Sequence, residues 1–350
     1  MNKLDIAVQG VGLIGRRHCE HIAACPDTVL SALIDPLPAA RAVAEQFNVP
    51  LFASFQEMLA VHRPDGLIVA TPNGLHVENG LAAVAAGIPV LVEKPLADDV
   101  ASGLSLVEAA EQAGVALLVG HHRRHNPMIQ SAKAMVDSGR LGDIVAVHGS
   151  FWLSKPDDYY DAAWRREAGA GPVLINLIHD VDLLRYLCGE VVAVQAMSSN
   201  KQRGFAVEDT ATVLLRFANG ALGTVTVSDT IPAPWSWELT TGENPAYPQS
   251  DQSCYVIGGS LGSLSIPRLE FWSHQDGERN WWKPMQSERT TLIAQDPLRL
   301  QISHFAQVIR GEAAVLVSGR EGLKTLQVIE AIKQASVSGQ TVSLADDADK

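Results

Sequence analysis

The sequence predicts two domains of different construction: a doubly wound parallel α/β sheet first, then an α+β domain on a largely antiparallel sheet. Three observations carry this. Short β-rich runs alternate with helical patterns from Leu4 to Val119, the mark of βαβ units. After Gly120 the strand patterns lengthen and follow one another with turn signals between. A chain of 350 residues, 47% of them hydrophobic, is also longer than one core ordinarily organises. The division is placed at 1–122 and 123–350.

In order, strands are expected at Leu4–Gln9, Val29–Ile34, Gly66–Ala70, Pro89–Val92 and Val115–Val119. Helices are expected at Val11–Ala24, Ala39–Phe47, Ser54–Val61, Leu75–Ala86 and Asp98–Ala113. The runs PVLV and VALLV are apolar without interruption, as in strands covered on both faces. In the second domain, strands are expected at Ile144–Trp152, Val191–Met197, Thr210–Phe217, Ala221–Ser228, Val256–Ile266 and Leu269–Trp272. Asn219-Gly220 between two of them signals a hairpin. Pro172–Leu187 reads as an apolar helix, and helices at Leu298–Arg310 and Arg320–Ala335 close the fold, with a polar, acidic, loose tail from Gly339. Trp235, Trp237 and Tyr247 sit among prolines and suit a core or an oligomer interface better than a sugar-stacking surface.

The formal net charge is −12, which disfavours nucleic acid and anionic lipid as partners. No apolar run reaches the ~18 residues of a membrane span. Met1–Asp5 runs straight into a strand and does not resemble a signal peptide. Cys19, Cys25, Cys188 and Cys254 form no C-x-x-C pair, so reduced thiols in a cytoplasmic protein are expected.

Gly10-Val-Gly12-Leu13-Ile14-Gly15 is a complete G-x-G-x-x-G between a strand and a helix. Gly10 permits the tight turn, Gly12 admits a pyrophosphate, and Gly15 lets helix and strand pack closely. The helix N-terminus offers unpaired N–H groups to the phosphates. Asp35 ends the second strand, twenty residues on, where a carboxylate accepts from an adenosine ribose and repels a 2′-phosphate. Pro36 and Leu37 supply no cation, so NAD is expected over NADP. Taken alone, the motif is a glycine-rich turn followed by an ordinary acid; motif, context and spaced acid together favour a Rossmann dinucleotide site.

Three further segments stand out: Thr71-Pro72-Asn73 with His76, Glu93-Lys94-Pro95, and Gly169-Ala170-Gly171 before a helix with His179 and Asp182. With the fingerprint, their joint occurrence and order resemble the glucose-fructose oxidoreductase, inositol dehydrogenase and MocA family over nearly the whole chain. The resemblance implies an N-terminal Rossmann domain and a C-terminal α+β domain with an open, mostly antiparallel sheet. It implies a homodimer or homotetramer formed through that sheet, and hydride transfer at a hydroxyl of a sugar, cyclitol or related compound. It places Lys94 near the reacting hydroxyl and His179 in the histidine position of the second-domain motif. It also assigns Thr71, Pro72, Asn73, His76 and Glu93 to the cofactor side. The family pattern has Asp four residues before its histidine; here Ile175 stands there, and Asn176 could hydrogen-bond a substrate hydroxyl instead. On an α-helix Asn176 and His179 share a face, and Asp182 could orient the His179 ring.

Lys94 is the expected general acid/base. Its ordinary pKa near ~10.4 is too high for that work, and burial or a neighbouring positive nicotinamide would lower it. An exposed lysine at a strand end and a satisfied core histidine are the plain alternatives for Lys94 and His179. His121, His122 and His125 lack metal-site spacing, so no metal is expected. In the same stretch Arg124 and Asn126 could touch substrate. Trp164 resembles a substrate loop residue and Arg165 a cofactor contact, or they are a packed Trp and a surface Arg. The expected activity is an NAD(P)-dependent dehydrogenase acting on CH–OH groups, with NAD favoured. Redox-neutral chemistry that uses NAD transiently on a glycoside, and a non-catalytic NAD sensor, are the alternatives.

Overall fold

The computed structural model describes residues 2–167, 169–275 and 277–344. The chain forms two compact units: the segment up to His125 with Pro297–Leu326, and Asn126–Asp296 with the chain from Gln327.

The first unit alternates strand and helix: β1 (Leu4–Gln9), α1 (Leu13–Ala24), β2 (Thr28–Ile34), α2 (Ala40–Phe47), β3 (Leu51–Phe52), α3 (Phe55–Leu59), β4 (Gly66–Val69), α4 (His76–Ala85), β5 (Val90–Val92), α5 (Val100–Ala113) and β6 (Leu117–Val119). All six strands are parallel, in the order β3-β2-β1-β4-β5-β6. The strand order reverses between β1 and β4, and ligands of such sheets bind at that crevice. Every residue of β4, β5 and β6 is buried, as their unbroken apolar runs require. Helices begin where a side chain can satisfy their open N–H groups: Ser54 Oγ accepts from Glu57 N at 3.2 Å, and Asp99 Oδ1 from Ser102 N at 2.9 Å. Strand β3 is an addition to the expected set. Two residues carry no period, and only pairing with Leu33 and Ile34 makes them a strand.

The second unit contains α6 (Pro127–Asp137), β7 (Ile144–Trp152), α7 (Ile178–Cys188), β8 (Val191–Ser199), β9 (Thr210–Phe217), β10 (Leu222–Ser228), α8 (Trp237–Thr241), β11 (Tyr255–Gly259), β12 (Gly262–Ile266), β13 (Glu270–His274), β14 (Met285–Arg289) and β15 (Val342–Ser343). The strands form one sheet in the order β14-β13-β12-β11-β7-β10-β9-β8-β15. Only β7 and β10 pair in parallel. In β9, Ala211, Val213, Leu215 and Phe217 point into the core, with Thr212, Leu214 and Arg216 on the other face. That outer face leaves Met197 80% exposed and Leu214, Leu222, Val256 and Trp272 open as well. The helices of the unit pack Ile129, Val181, Leu184 and Ile332 against the inner face.

Two expectations change. Val256–Ile266, expected as one strand, is the hairpin β11–β12. Its glycines force the reversal: a Cβ on Gly259 would lie 2.1 Å from the Leu141 carbonyl oxygen, and one on Gly262 would meet the Phe271 ring. The closing helices are α9 (Pro297–Ile309) and α10 (Gly319–Ser338). The expected boundary gives both to the second domain, yet residues 297–326 belong to the first unit. Ile302 and Phe305 pack with Ile6, Val8 and Ile22, and Val317 and Leu323 join Leu67 and Leu106. An amphipathic helix shows that it has a buried face; it does not show which core receives it. Of the tail expected to be loose, Val342 and Ser343 pair with β8, and residues 345–350 lie outside the described residues. Among the described residues no helix is long and apolar enough to cross a membrane.

Candidate active site

The first unit gathers its candidate residues at the carboxyl ends of β1, β2, β4 and β5. Gly10, at φ +89°, turns the chain so tightly that a Cβ would lie 2.5 Å from the Ala70 carbonyl oxygen. A Cβ on Gly15 would lie 2.0 Å from the Gly10 carbonyl oxygen, so glycine is needed for α1 to approach β1. Gly12 differs: nothing lies within 4 Å of where its Cβ would be. Its missing side chain is therefore not needed for the protein's own packing, and it leaves room beside the N-terminus of α1. Gly12 caps that helix with no side-chain hydrogen bond, so the helix N–H groups remain open to an anion. Leu13, 85% exposed, and Ile14 begin the first turn. Asp35 receives Val11 N on Oδ2 at 2.8 Å and Leu37 N on Oδ1 at 2.9 Å. This ties the acid to the glycine loop while each oxygen keeps a lone pair for a ribose hydroxyl. The cradle thus fits a dinucleotide: an open glycine, an uncapped helix start and a fixed acceptor.

The loops after β4 and β5 are joined by one ring. His76, buried at the start of α4, sets Nδ1 2.7 Å from the Pro95 carbonyl oxygen and Nε2 2.9 Å from that of Thr71. Both nitrogens serve backbone, so His76 positions the two loops. Thr71 is further tied to β1 through Asn79, which meets Thr71 Oγ1 at 3.3 Å and Gln9 Nε2 at 2.8 Å. Pro72 and Asn73 remain exposed. Beneath Lys94, the buried Glu93 takes His18 Nε2 on Oε1 at 2.8 Å and Lys94 N on Oε2 at 3.2 Å. Burial alone would raise the Glu93 pKa. The His18 hydrogen bond and the charges of His18, His122 and Lys94 outweigh it and hold the carboxyl down to about 2. Gly120 completes the packing, since a Cβ there would fall 2.8 Å from that carboxylate. The Lys94–Pro95 peptide bond is cis, and Lys94 itself is half-buried.

The stretch after β6 departs from its expected substrate role. Arg124, only 2% exposed, pairs with Glu321 at 2.9 Å within the first unit. His125 Nε2 lies 3.1 Å from His304 Nδ1. Asn126, fully buried in the second unit, caps α6 through Met128 N at 2.9 Å and donates to Glu243 Oε2 at 2.9 Å. Asn before Pro is a helix-start signal, and that reading now accounts for Asn126. Arg124 gives no local sign of its partner, two hundred residues away.

In the second unit, Asn176 lies in a π-helical turn, Val173–Leu177, that leads into α7. The wider turn removes the α-helical spacing expected to align Asn176 with His179. Asn176 is held instead by Lys155, whose Nζ donates to Oδ1 at 2.8 Å. His179, Asp180 and Asp182 are all buried. Asp180 accepts from the Tyr255 hydroxyl, and Arg185 forks onto Glu190 with Nε at 3.1 Å from Oε2 and Nη2 at 3.0 Å from Oε1. Much of the polarity of α7 is therefore structural. Ile175, at the place of the family's Asp, is half-buried. Trp164 is 55% exposed, and Arg165 lies over the Tyr159 ring at 4.0 Å and donates to the Tyr159 carbonyl at 2.6 Å. Lys155 was not anticipated. A lysine before proline in the acidic stretch Lys155-Pro-Asp-Asp reads as solvated, and only the fold buries it.

Burial, then the neighbouring Arg123 charge, pushes the His122 imidazole from its ordinary 6.5 down to about 3. The unfolded chain therefore binds the extra proton first, and this group lowers stability as pH falls from 6.5 toward 3. Glu93 acts in the same direction, but only below its ordinary 4.5 and down toward 2. His122→Gln should therefore lose less Tm than the parent between pH 6.5 and 4.5, measured by calorimetry. An equal loss would show that His122 is not kept neutral by the fold.

Two family descriptions match consecutive parts of the chain: an oxidoreductase family with an NAD-binding Rossmann fold over residues 4–121, and the GFO/IDH/MocA C-terminal domain over 129–265. Levoglucosan dehydrogenase of Pseudarthrobacter phenanthrenivorans is 30% identical over 267 residues, 64% of this chain and 67% of that protein. Inositol 2-dehydrogenase 2 of Saccharopolyspora erythraea is 29% identical over 277 residues, 75% of this chain and 73% of its own length. Among solved structures, the WlbA dehydrogenase of Bordetella pertussis, in complex with NADH and UDP-GlcNAcA, matches with a TM-score of 0.79 at 28% identity, over 99% of this chain and 100% of that one. Since both units match one family in chain order, the protein belongs to the Gfo/Idh/MocA oxidoreductases and carries that family's NAD-binding Rossmann domain.

Proposed function

We propose that this oxidoreductase is an NAD-preferring dehydrogenase that oxidises a hydroxyl of a sugar, cyclitol or related cyclic hydroxy compound, or reduces the corresponding carbonyl. The observation that carries the reading is the shared fixing of the dinucleotide cradle and the Lys94 loop. Gln9, Asn79, Thr71, His76 and Pro95 form one chain of hydrogen bonds from the end of β1 to the residue after Lys94. The bound nicotinamide supplies a hydride acceptor or donor. Lys94 takes the hydroxyl proton in one direction and returns it in the other. His179 hydrogen-bonds the reacting oxygen, and Asn176 a neighbouring hydroxyl. Gly12 and the start of α1 hold the pyrophosphate; Leu13, Ile14, Thr71, Pro72, Asn73 and Arg165 complete the cofactor contacts. The preference for NAD rests on Asp35, a carboxylate that accepts from a ribose and repels a phosphate, with Pro36 and Leu37 beyond it.

We also assign the open face of the second sheet to a homodimer or homotetramer. Met197, Leu214, Leu222 and Trp272 lie exposed on the same face of the sheet, apolar groups that a second copy would cover. A cytoplasmic setting agrees with four buried cysteines that form no disulfide among the described residues.

Three measurements test these readings. Lys94→Met should cut turnover, followed at 340 nm with a panel of sugars and inositols, about 10²–10⁴-fold while leaving NAD affinity within a small factor; near-parent turnover removes Lys94 from the chemistry. Asp35→Ala should lower the ratio of kcat/KM with NAD to that with NADP about tenfold, and an unchanged ratio takes Asp35 off the ribose. Leu214→Glu should shift the protein to a smaller species in sedimentation velocity. A parent protein that sediments as a monomer ends the oligomer assignment.

A further inference from the structure

The stretch Gly169-Ala170-Gly171 leads into the π-helical turn Val173–Leu177, and the readings above give it no task. The turn begins without a side-chain cap of its own, because Pro172 stands at the capping position. A helix start leaves its first N–H groups open, and where water is scarce they need acceptors from elsewhere. Here the acceptor comes from the sheet. Glu208, two residues before β9, takes the Val173 N–H on Oε1 at 3.1 Å.

Three further observations give this contact weight. Gly171 makes room for it: a Cβ there would lie 2.1 Å from Glu208 Oε1 and 2.3 Å from its Cδ. Gly171 does not have a positive φ, so the backbone would accept a side chain and only the carboxylate forbids one. The support is firm, since the next residue, Asp209, donates its N–H to the Ser199 carbonyl at 2.9 Å and accepts from Asp229 N at 3.1 Å. The Glu208 carboxyl itself is pushed up in pKa by burial, and the Val173 N–H is the largest influence that opposes this. A carboxylate also suits the positive end of the helix that the turn begins.

We propose that Glu208 is a positioning residue: it caps the π-helical turn from the sheet and thereby sets where Asn176 and His179 stand. A π-turn takes up about one residue more than an α-helical turn, so it competes with ordinary helical spacing. Tying its first N–H to a strand end opposes that slip. Gly171 is then required by the protein's own carboxylate, in contrast to Gly12. The use made of Asn176 and His179 rests on the dehydrogenase reading, but the capping does not. Glu208 also borders a polar cavity of about 360 Å³ with Lys333 and Ser336, so shortening it opens space to water and leaves no void in the apolar core.

The test compares variants of the full chain by hydrogen exchange at the turn, calorimetry with NAD, and turnover at 340 nm on the sugar and inositol panel. Glu208→Ala should speed exchange of the Val173 amide about tenfold and lower kcat/KM about tenfold, with NAD affinity unchanged. Glu208→Gln keeps an acceptor of the same shape and should recover most of both. Gly171→Ala should displace the carboxylate and match Glu208→Ala. Added to Glu208→Ala, it should change either readout less than twofold, because the methyl group enters space already emptied. Should Glu208→Ala fail to fold, Glu208→Gln and Gly171→Ala still decide the matter. Unaltered exchange in Glu208→Ala or Gly171→Ala, a Gln variant as impaired as the Ala variant, or losses that add in full in the double variant would each overturn the proposal. Faster exchange with kcat/KM unmoved would overturn it too, leaving the dehydrogenase standing. Exchange that follows the expected pattern, with no NADH formed by the parent on any ring, would support the cap and count against the dehydrogenase.

Discussion

A carboxylate buried beside a loop must be paired or lose its charge, and Glu93 is paired on both oxygens, by His18 and by the Lys94 backbone N–H. The arrangement of the first unit's site depends on this contact. It fixes the residue before Lys94, places a negative charge under the lysine and reserves the space that Gly120 leaves open. His76 does the complementary work from the other side, holding the backbone of Pro95 and Thr71. The strand ends are therefore joined by side chains whose polar atoms bind other parts of the protein. Catalytic geometry of this kind demands placement within fractions of an ångström, and supporting groups supply it.

The second unit repeats the solution with a different centre. Asp229 gathers Lys155, Arg203 and Tyr160, and through Lys155 it orients Asn176 in the π-turn before α7. Removing Asp229 would take the carboxylate from two largely buried cations at once, so the cluster depends on it.

Several conspicuous polar residues turn out to serve the fold. Arg124 pairs with Glu321, Asn126 caps a helix, Asp180 takes the Tyr255 hydroxyl and Arg185 forks onto Glu190. In each case a polar side chain at an unexposed position found a protein partner, as buried polar groups generally do. The same accounting shows why Gly12 differs from Gly10 and Gly15: the protein fills the space beside the latter two and leaves that beside Gly12 open.

Local signals in the chain were enough for the parallel sheet, the fingerprint, the spaced Asp35 and the strand-end position of Lys94, because each depends on neighbours within one βαβ unit. Alternation in β9 and the Asn219-Gly220 turn likewise made the second sheet legible, since a period of two and a tight turn are written in adjacent residues. The hairpin within Val256–Ile266 was hidden because what enforces it, the Leu141 backbone and the Phe271 ring, comes from other segments. The membership of residues 297–326 was hidden because an apolar helix face fits any apolar core. Lys155 and Asp229 stand more than seventy residues apart, and the partners of Arg124 and His125 nearly two hundred. Sequence by itself determined which elements form and which chemistry the glycine loop can hold, because those follow from local backbone geometry and periodicity. Only the tertiary structure decided which polar groups are spent on one another and which are left facing a ligand, because pairing of buried charges depends on distances that folding alone creates.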